Sequence, residues 1–288
     1  MAVGVNVLEE VIAAVKEVAQ QVIMPRYLQV DRQIKADGSF FTEADVAAQN
    51  ALLEKLQKIH PAAAMGEEMT KQEQEAQWIK GQSGLWSIDP IDGTSNFLNG
   101  LPYFAISVAF MEQGKSVLGV IYNPVTDEMF YATKGGGAFL NGIALPLKTY
   151  IPALSGAMAN VDLKRLDRKF AARVAAFPPF ASQRNFGACA LEWCYTAAGY
   201  FDLYLHGGQK PWDYGAGSLI LAEAGGHMCG FEQDDYWAGS PWTRSVIAAL
   251  DPGLFAQWRD WVRENRERVG CSSENYHSGC GSSRFIGG

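Results

Sequence analysis

The sequence predicts a layered fold of helices and strands (α/β in content, α+β in order), and three observations carry that prediction. Apolar residues recur at helical spacing near the N-terminus, short β-branched and aromatic runs follow from Leu85 to Ala132, and the two patterns then alternate to the end of the fold. With 48% of its 288 residues apolar, the chain can bury a large core in one compact unit.

The first helix is expected over Val7–Met24, where Leu8, Val11, Ile12, Val15, Val18, Ala19 and Val22 share a face and Pro25 ends the run. A polar loop, Lys35 to Ser39, precedes a second helix that begins near Thr42, whose hydroxyl and Asp45 form a capping pair, and continues to His60-Pro61. Strands are expected at Leu85–Ile88, Phe104–Met111, Val117–Tyr122 and Met129–Ala132. The short polar connections Glu112–Lys115 and Asn123–Asp127 make them consecutive and antiparallel. In the second half the pattern gives a strand near Leu154–Ala157, helices over Asp162–Ala176 and Ala188–Gly199, and a strand at Phe201–Leu205. A helix after Asp213, a strand at Ser245–Leu250 and a last helix from Asp251 to about Arg268 complete it. We therefore expect one domain over 1–268, with halves of about 1–148 and 149–268. The Gly-, Ser- and Cys-rich tail 269–288 reads as disordered or as an extension outside the fold.

A formal net charge of -7 without basic runs gives no footprint for nucleic acid or an anionic membrane, so a small molecule is the expected partner. No apolar stretch approaches the ~20 residues of a membrane span, and Glu9 and Glu10 stand where a leader would be basic, so a cytoplasmic protein is expected. Cys189, Cys194, Cys229, Cys271 and Cys280 form no C-x-x-C pair and are odd in number, which argues for reduced thiols. Cys189 and Cys194 lie in an apolar helical segment, where packing competes with any reactive role.

Four acids stand at element ends: Glu67 after Gly66, Asp89 at a strand end, Asp92 before Gly93, and Asp213 between Trp212 and Tyr214. The strand delivers Asp89 to the sheet edge, Pro90 stiffens the turn, and Asp92 is placed to cap a helix starting at Gly93-Thr94-Ser95. Two carboxylates so close repel one another unless divalent cations lie between them. Oxygen ligands without His or Cys clusters favour Mg²⁺ over zinc. The Gly93 and Thr94 amides at the helix end would favour a phosphate group. Each feature also has a plain structural reading. Asp92-Gly93 is an ordinary cap and turn, Asp213 caps a helix over Tyr214–Ala224, and Glu67 is a solvated loop acid.

Taken together, Gly66-Glu67-Glu68, Trp86-Ser87-Ile88-Asp89-Pro90-Ile91-Asp92-Gly93-Thr94-Ser95-Asn96-Phe97, Trp212-Asp213-Tyr214-Gly215-Ala216-Gly217 and Glu223-Ala224-Gly225-Gly226 resemble the inositol monophosphatase family. Lys35 with Thr42-Glu43-Ala44-Asp45 is similar to the family's N-terminal motif, and the likeness runs over about residues 5 to 265. The resemblance implies an αβαβα sandwich shared with fructose-1,6-bisphosphatase, a Mg²⁺-dependent phosphatase usually inhibited by Li⁺, and frequently a homodimer. It places metal ligands on Glu67, Asp89, the Ile91 carbonyl, Asp92 and Asp213, for two ions and a weaker third near Glu67. In the mechanism it implies, Glu67, Asp89 and Ile91 hold the ion that activates water. Thr94, Asp45 and Glu67 orient that water, and Lys35 supports them. A second ion between Asp89, Asp92 and Asp213 stabilises the leaving oxygen, while the Gly93 and Thr94 amides bind phosphate.

The family's substrate-facing stretch falls between Gly187 and Asp213, where the likeness weakens. Gly187-Ala188-Cys189 replaces a small or hydroxyl-bearing run, and an acid that contacts inositol hydroxyls in many members corresponds to His206. His206 is read either as a substrate contact or as a loop histidine, Lys210 as a phosphate contact or a solvated side chain, and Arg184 as a brace or a surface ion pair. Inositol 1-phosphate or a related sugar or polyol phosphate leads the substrates, with histidinol phosphate, fructose 1,6-bisphosphate and 3'-phosphoadenosine nucleotides as alternatives. From other classes stand a catalytically silent metal- or phosphate-binding module and a calcium loop. Pro90 in the second place of such a loop and Gly100 in the twelfth speak against the calcium reading. No Cys has Arg six residues on and no D-x-D occurs, which removes cysteine and aspartyl phosphatase chemistry.

Overall fold

A computed structural model describes residues 5–29, 33–34, 40–148 and 150–271. The order begins with α1 (Val5–Val18), which continues through a π-turn (Ala19–Ile23) and a 3₁₀ turn holding Pro25. A small ribbon of β1 (Gln33–Ile34) and β2 (Phe40–Phe41) follows. Next come α2 (Glu43–Ile59), β3 (Ala63–Gly66), α3 (Lys71–Lys80), β4 (Leu85–Asp92), α4 (Thr94–Asn99) and β5 (Ala105–Glu112). The first half closes with β6 (Lys115–Asn123), β7 (Glu128–Thr133), β8 (Gly137–Leu140) and β9 (Ile143–Ala144). The second half is β10 (Met158–Val161), α5 (Arg168–Ala176), β11 (Ser182–Arg184), α6 (Cys189–Ala198) and β12 (Leu203–Gln209), then α7 (Pro211–Glu223), β13 (His227–Cys229), β14 (Arg244–Ala249) and α8 (Pro252–Cys271).

Strands β3 to β9 form a seven-stranded sheet in sequence order, and the second sheet runs β11-β10-β12-β14-β13. The meander from β4 to β9 is antiparallel, as the short polar turns require, while β3 joins β4 in parallel. Five layers result. Val11, Val15 and Leu52 of α1 and α2 pack on Trp86, Ile88, Val108 and Val120 of the first sheet. The other face of that sheet, through Ala109, Met111 and Phe130, packs on Trp193, Ala216 and Ile220 of α6 and α7. These in turn cover Tyr204, Val246 and Ala248 of the second sheet. Phe170, Leu254, Trp258 and Val262 of α5 and α8 close its far side. This is the αβαβα sandwich.

The middle position of α7 explains its composition. It is buried on nearly every side, so it is apolar all round rather than along one stripe. Its neighbours must be small: a Cβ on Gly119 of β6 would lie 2.8 Å from the Ala216 carbonyl oxygen, and one on Gly217 would lie 2.4 Å from the Trp193 Cβ.

Several boundaries differ from the sequence reading. Residues Leu154–Gly156 form a 3₁₀ turn and the strand starts at Met158. The segment after Asp162 is a 3₁₀ turn, Leu163–Arg165. The helix proper begins at Arg168, where Asp167 accepts the Phe170 N–H. Strand β12 runs to Gln209, so His206 is a strand residue rather than a loop histidine. Helix α7 begins at Pro211, ahead of Asp213, and α8 reaches Cys271, past the expected Arg268. Strands β1, β2, β3, β8, β9, β11 and β13 and helix α3 have no counterpart in the sequence reading. Lys35, with most of its loop, and the tail from residue 272 lie outside the described residues. No helix among the described residues is long and apolar enough to cross a membrane.

Candidate active site

Glu67, Asp92 and Asp213 meet in a cleft of about 240 Å³ where the C-terminal end of β4 and the turn after β3 face α6, α7 and β12, and Asp89 is buried close enough to feel the charge of all three. A hollow of about 260 Å³ near Pro146 and Tyr150 is mostly apolar and has no such cluster. Glu67 sits on a turn clamped from two helices. Gln49 Oε1 accepts the Glu68 N–H at 2.9 Å, and Gln74 Nε2 donates to the Gly66 and Glu67 carbonyls at 3.1 and 3.2 Å. A Cβ at Gly66 would lie 2.0 Å from Gln49 Oε1 and would displace the amide that accepts the Glu68 N–H.

Asp89 and Asp92 stand on either side of an irregularity in the β4–β5 ladder, where Asp89 pairs with Ser107 but Asp92 with Ala105. Asp89 is buried and its Oδ1 accepts the Ile91 N–H at 3.1 Å. Asp92 corrects the sequence reading. It does not cap α4, whose N-cap is Gly93 with φ of 90°; its Oδ2 accepts the Ala190 N–H at 2.7 Å, in the first turn of α6. A carboxylate from the first half thus caps a helix of the second, and the N-terminal end of α6 favours its negative charge. Asp213 lies in the first turn of α7, where its Oδ2 accepts the Lys210 N–H at 2.8 Å. The capping expectation therefore holds in a modified form: Asp213 reaches back from inside the helix.

Thr94 Oγ1 lies 3.4 Å from Asp45 Oδ1 and 3.2 Å from the Ile91 carbonyl oxygen, and its single proton can serve one of the two at a time. Asp45 Oδ2 meanwhile accepts from the Thr42 amide (2.6 Å) and hydroxyl (2.7 Å), so the capping pair read from sequence also fixes the carboxylate that reaches Thr94.

Electrostatics make the cluster costly as it stands. Burial first, then the charges of Glu67, Asp92 and Asp213, push the Asp89 carboxyl well above its ordinary range. Asp92 is raised by burial and by Asp213, against the lowering effect of the Ala190 N–H, and Asp213 rises to about 7, mainly by burial. Main-chain amides take one oxygen each from Asp89, Asp92 and Asp213, leaving the second outside those bonds. Among the described residues, no three acidic, His or Cys side chains close into a coordination cage as they stand. The oxygen-only donor set and the mutual repulsion nevertheless fit hard divalent cations, whose charge would relieve both.

Cys189 and His206 also line the cleft. Cys189 Sγ is 3.5 Å from Asp92 Oδ1, and burial and the surrounding acids push its thiol well up, so it is a protonated donor rather than a nucleophile. His206 is buried and held neutral, its pKa lowered to about 4 by desolvation. Its Nδ1 accepts the Gly208 N–H at 3.2 Å, so the proton sits on Nε2, 3.7 Å from Asp162 Oδ2. Arg184 does not reach the cleft; it donates to the Ser182 hydroxyl and the Gln183 carbonyl, and Lys210 is likewise outside the lining.

Sequence reasoning missed Asp162, Lys164, Arg165 and Glu192, which also line the cleft. Glu192 is buried, its Oε1 accepts the Gly187 N–H at 3.2 Å, and burial raises its carboxyl to about 7. The available signal was a lone acid in the otherwise apolar helix Cys189–Ala198.

The sequence model of the inositol monophosphatase family matches residues 5–266. An inositol-1-monophosphatase of Rhizobium meliloti is 37% identical over 227 residues, 76% of this chain and 82% of its own. A Nus factor SuhB of Pasteurella multocida is 34% identical over 205 residues, 69% of this chain and 74% of its own. Among solved structures, an IMPase of Thermotoga maritima superimposes with a TM-score of 0.78 at 30% identity, covering 92% of this chain and 100% of that one.

Proposed function

Because the chain belongs to the inositol monophosphatase family and is a phosphomonoesterase of it, we propose that it hydrolyses inositol 1-phosphate or a related sugar or polyol phosphate, using Mg²⁺ held by Glu67, Asp89, Asp92, Asp213 and the Ile91 carbonyl. The observation that carries this reading is the convergence of Asp89, Asp92 and Asp213 in one buried cluster, where Asp92 and Asp213 raise the pKa of Asp89 and Asp213 raises that of Asp92. Bound there, two ions, with a weaker third near Glu67, would supply an activated water and positive charge against the phosphate and the leaving oxygen.

The chain's own groups do the rest. Asp45, held by Thr42, orients the Thr94 hydroxyl, and with Glu67 they align the attacking water in line with phosphorus. The Gly93 and Thr94 amides hold phosphate oxygens. Because α4 is six residues long, these amides act directly rather than through a large helix dipole. Asp92 and Asp213 are steadied by the first turns of α6 and α7, which fixes the leaving-group side of the cleft. The neutral His206 Nε2–H and Cys189 face the alcohol portion, offering donors where many relatives offer an acid. A homodimer, lithium inhibition and a cytoplasmic location belong to the same proposal.

The test is phosphate release from a panel of inositol, sugar, amino-alcohol and nucleotide phosphates, with Mg²⁺ and with EDTA. Mg²⁺-dependent release from an inositol or sugar phosphate is expected. Silence across the panel would favour a metal- or phosphate-binding module instead.

A further inference from the structure

One wall of the cleft has no part in the reaction above. After β10, the 3₁₀ turn Leu163–Arg165 brings Lys164 and Arg165 to the cleft, the cations in a lining that also holds Glu67, Asp92, Asp162, Glu192 and Asp213. The turn is firmly placed. Asp162 Oδ1 accepts the Lys164 N–H at 3.0 Å, and Leu166 behind it is buried. Gly207 of β12 comes so close that a Cβ there would lie 1.9 Å from the Arg165 carbonyl oxygen. Any side chain at 207 would push the turn away.

Arg165 Nε lies 3.9 Å from Asp162 Oδ2, beyond hydrogen-bond reach, and the same oxygen is 3.7 Å from His206 Nε2. No described side chain hydrogen-bonds the guanidinium, whose side chain is 59% exposed. Arg165 nevertheless lines the same cleft as Asp213, Glu67 and His206. A cation carried on a firmly placed turn therefore lines the cleft together with His206, the residue assigned above to the alcohol portion of an ester. Ions at the carboxylates would neutralise the phosphate being cleaved, but a second anionic group at the far end of the substrate would need a cation of its own. A guanidinium can pair with carboxylate or phosphate in bidentate fashion.

We propose that Arg165, assisted by Lys164, selects phosphomonoesters whose leaving group carries a second anionic group, a carboxylate or a further phosphate, over esters of neutral alcohols. This rests on the phosphatase reading and narrows its substrate: esters with a second anionic group become the preferred class, and inositol 1-phosphate is hydrolysed as a slower one.

The test uses the Mg²⁺-loaded protein and two matched pairs: glycerol 2-phosphate with 2-phosphoglycerate, and fructose 1-phosphate with fructose 1,6-bisphosphate. Inositol 1-phosphate serves as reference. The wild type should favour the doubly anionic member of at least one pair by ~10-fold or more in kcat/KM, the scale of one charge-assisted contact. Which pair responds distinguishes carboxylate from phosphate. Arg165→Gln should remove most of that preference through KM while leaving the neutral-alcohol ester within ~3-fold, and Arg165→Lys should restore part of it. Equal loss on both members, no wild-type preference in either pair, or release from inositol 1-phosphate alone would overturn the role of Arg165. Silence on every ester would overturn the phosphatase reading itself.

Discussion

Removing the metal should make the stability of this protein fall as pH rises, and the carboxylates of the cleft give the size of the effect. Asp213 has its pKa lifted from 3.8 to about 7, and Asp89 and Asp92 move the same way. An acid whose pKa is raised by folding holds its proton in the folded chain where the unfolded chain has lost it. Its stabilising contribution is therefore complete below about pH 4 and is lost as pH climbs through about 7. For Asp213 alone, about three units at ~1.4 kcal/mol each give ~4 kcal/mol, and its partial contact with water in the cleft reduces this to ~2 kcal/mol. About two-thirds of that change falls between pH 5 and pH 8, so at ~2–4 °C per kcal/mol for a chain of this size the melting temperature in EDTA should drop by ~3–5 °C over that range on this account. Mg²⁺ binds the charged carboxylates, so the gap between Mg²⁺-loaded and EDTA-treated protein should open as pH rises from near zero at pH 5. Differential scanning fluorimetry across that range measures it directly. A gap that is constant with pH, or that narrows, would refute the claim that these buried acids await a cation.

Thr94→Val keeps the shape but removes the hydroxyl between Asp45 and Ile91; kcat should fall by ~10²-fold with stability changed by about 1 kcal/mol or less, as steady-state kinetics and melting would show. Glu192→Gln keeps an acceptor for the Gly187 N–H while removing a carboxyl that titrates near 7, so the metal-loaded protein should lose less stability between pH 5 and pH 8 than the wild type. Gly119→Ala would place its Cβ 2.8 Å from the Ala216 carbonyl oxygen, and pushing α7 off the sheet should cost ~1–3 kcal/mol in a denaturant titration.

The features legible in the sequence were the local ones. The Thr42–Asp45 capping pair declares itself within four residues, and the helix over Cys189–Ala198 ends at a left-handed Gly199. The antiparallel meander follows from apolar runs joined by short polar turns. Helix α3 was hidden because Lys71–Lys80 is polar nearly all round and carries no apolar stripe, and β3 because a four-residue Ala-rich strand has little β propensity. The placement of Asp92 depends on an amide 98 positions away, a pairing no local rule can anticipate. Arg165 and Lys164 carry no local mark of a site, because their turn lies against the cleft through the close approach of Gly207 on a distant strand. The acids at element ends could thus be found by inspection, whereas the wall that carries Lys164 and Arg165 could be found only once the two halves were folded together.

The central claim, that the Asp89, Asp92 and Asp213 cluster holds the metal that drives phosphate ester hydrolysis, is tested most directly by phosphate release from inositol 1-phosphate as Mg²⁺ is titrated into metal-free protein. Wild type, Asp89→Asn and Asp213→Asn would be run side by side, with circular dichroism confirming that each is folded. The account predicts saturable Mg²⁺-dependent release in the wild type, none in EDTA, and a loss of ~10³-fold or more in both variants. Release that persists in EDTA, or near-normal turnover in both folded variants, would contradict it.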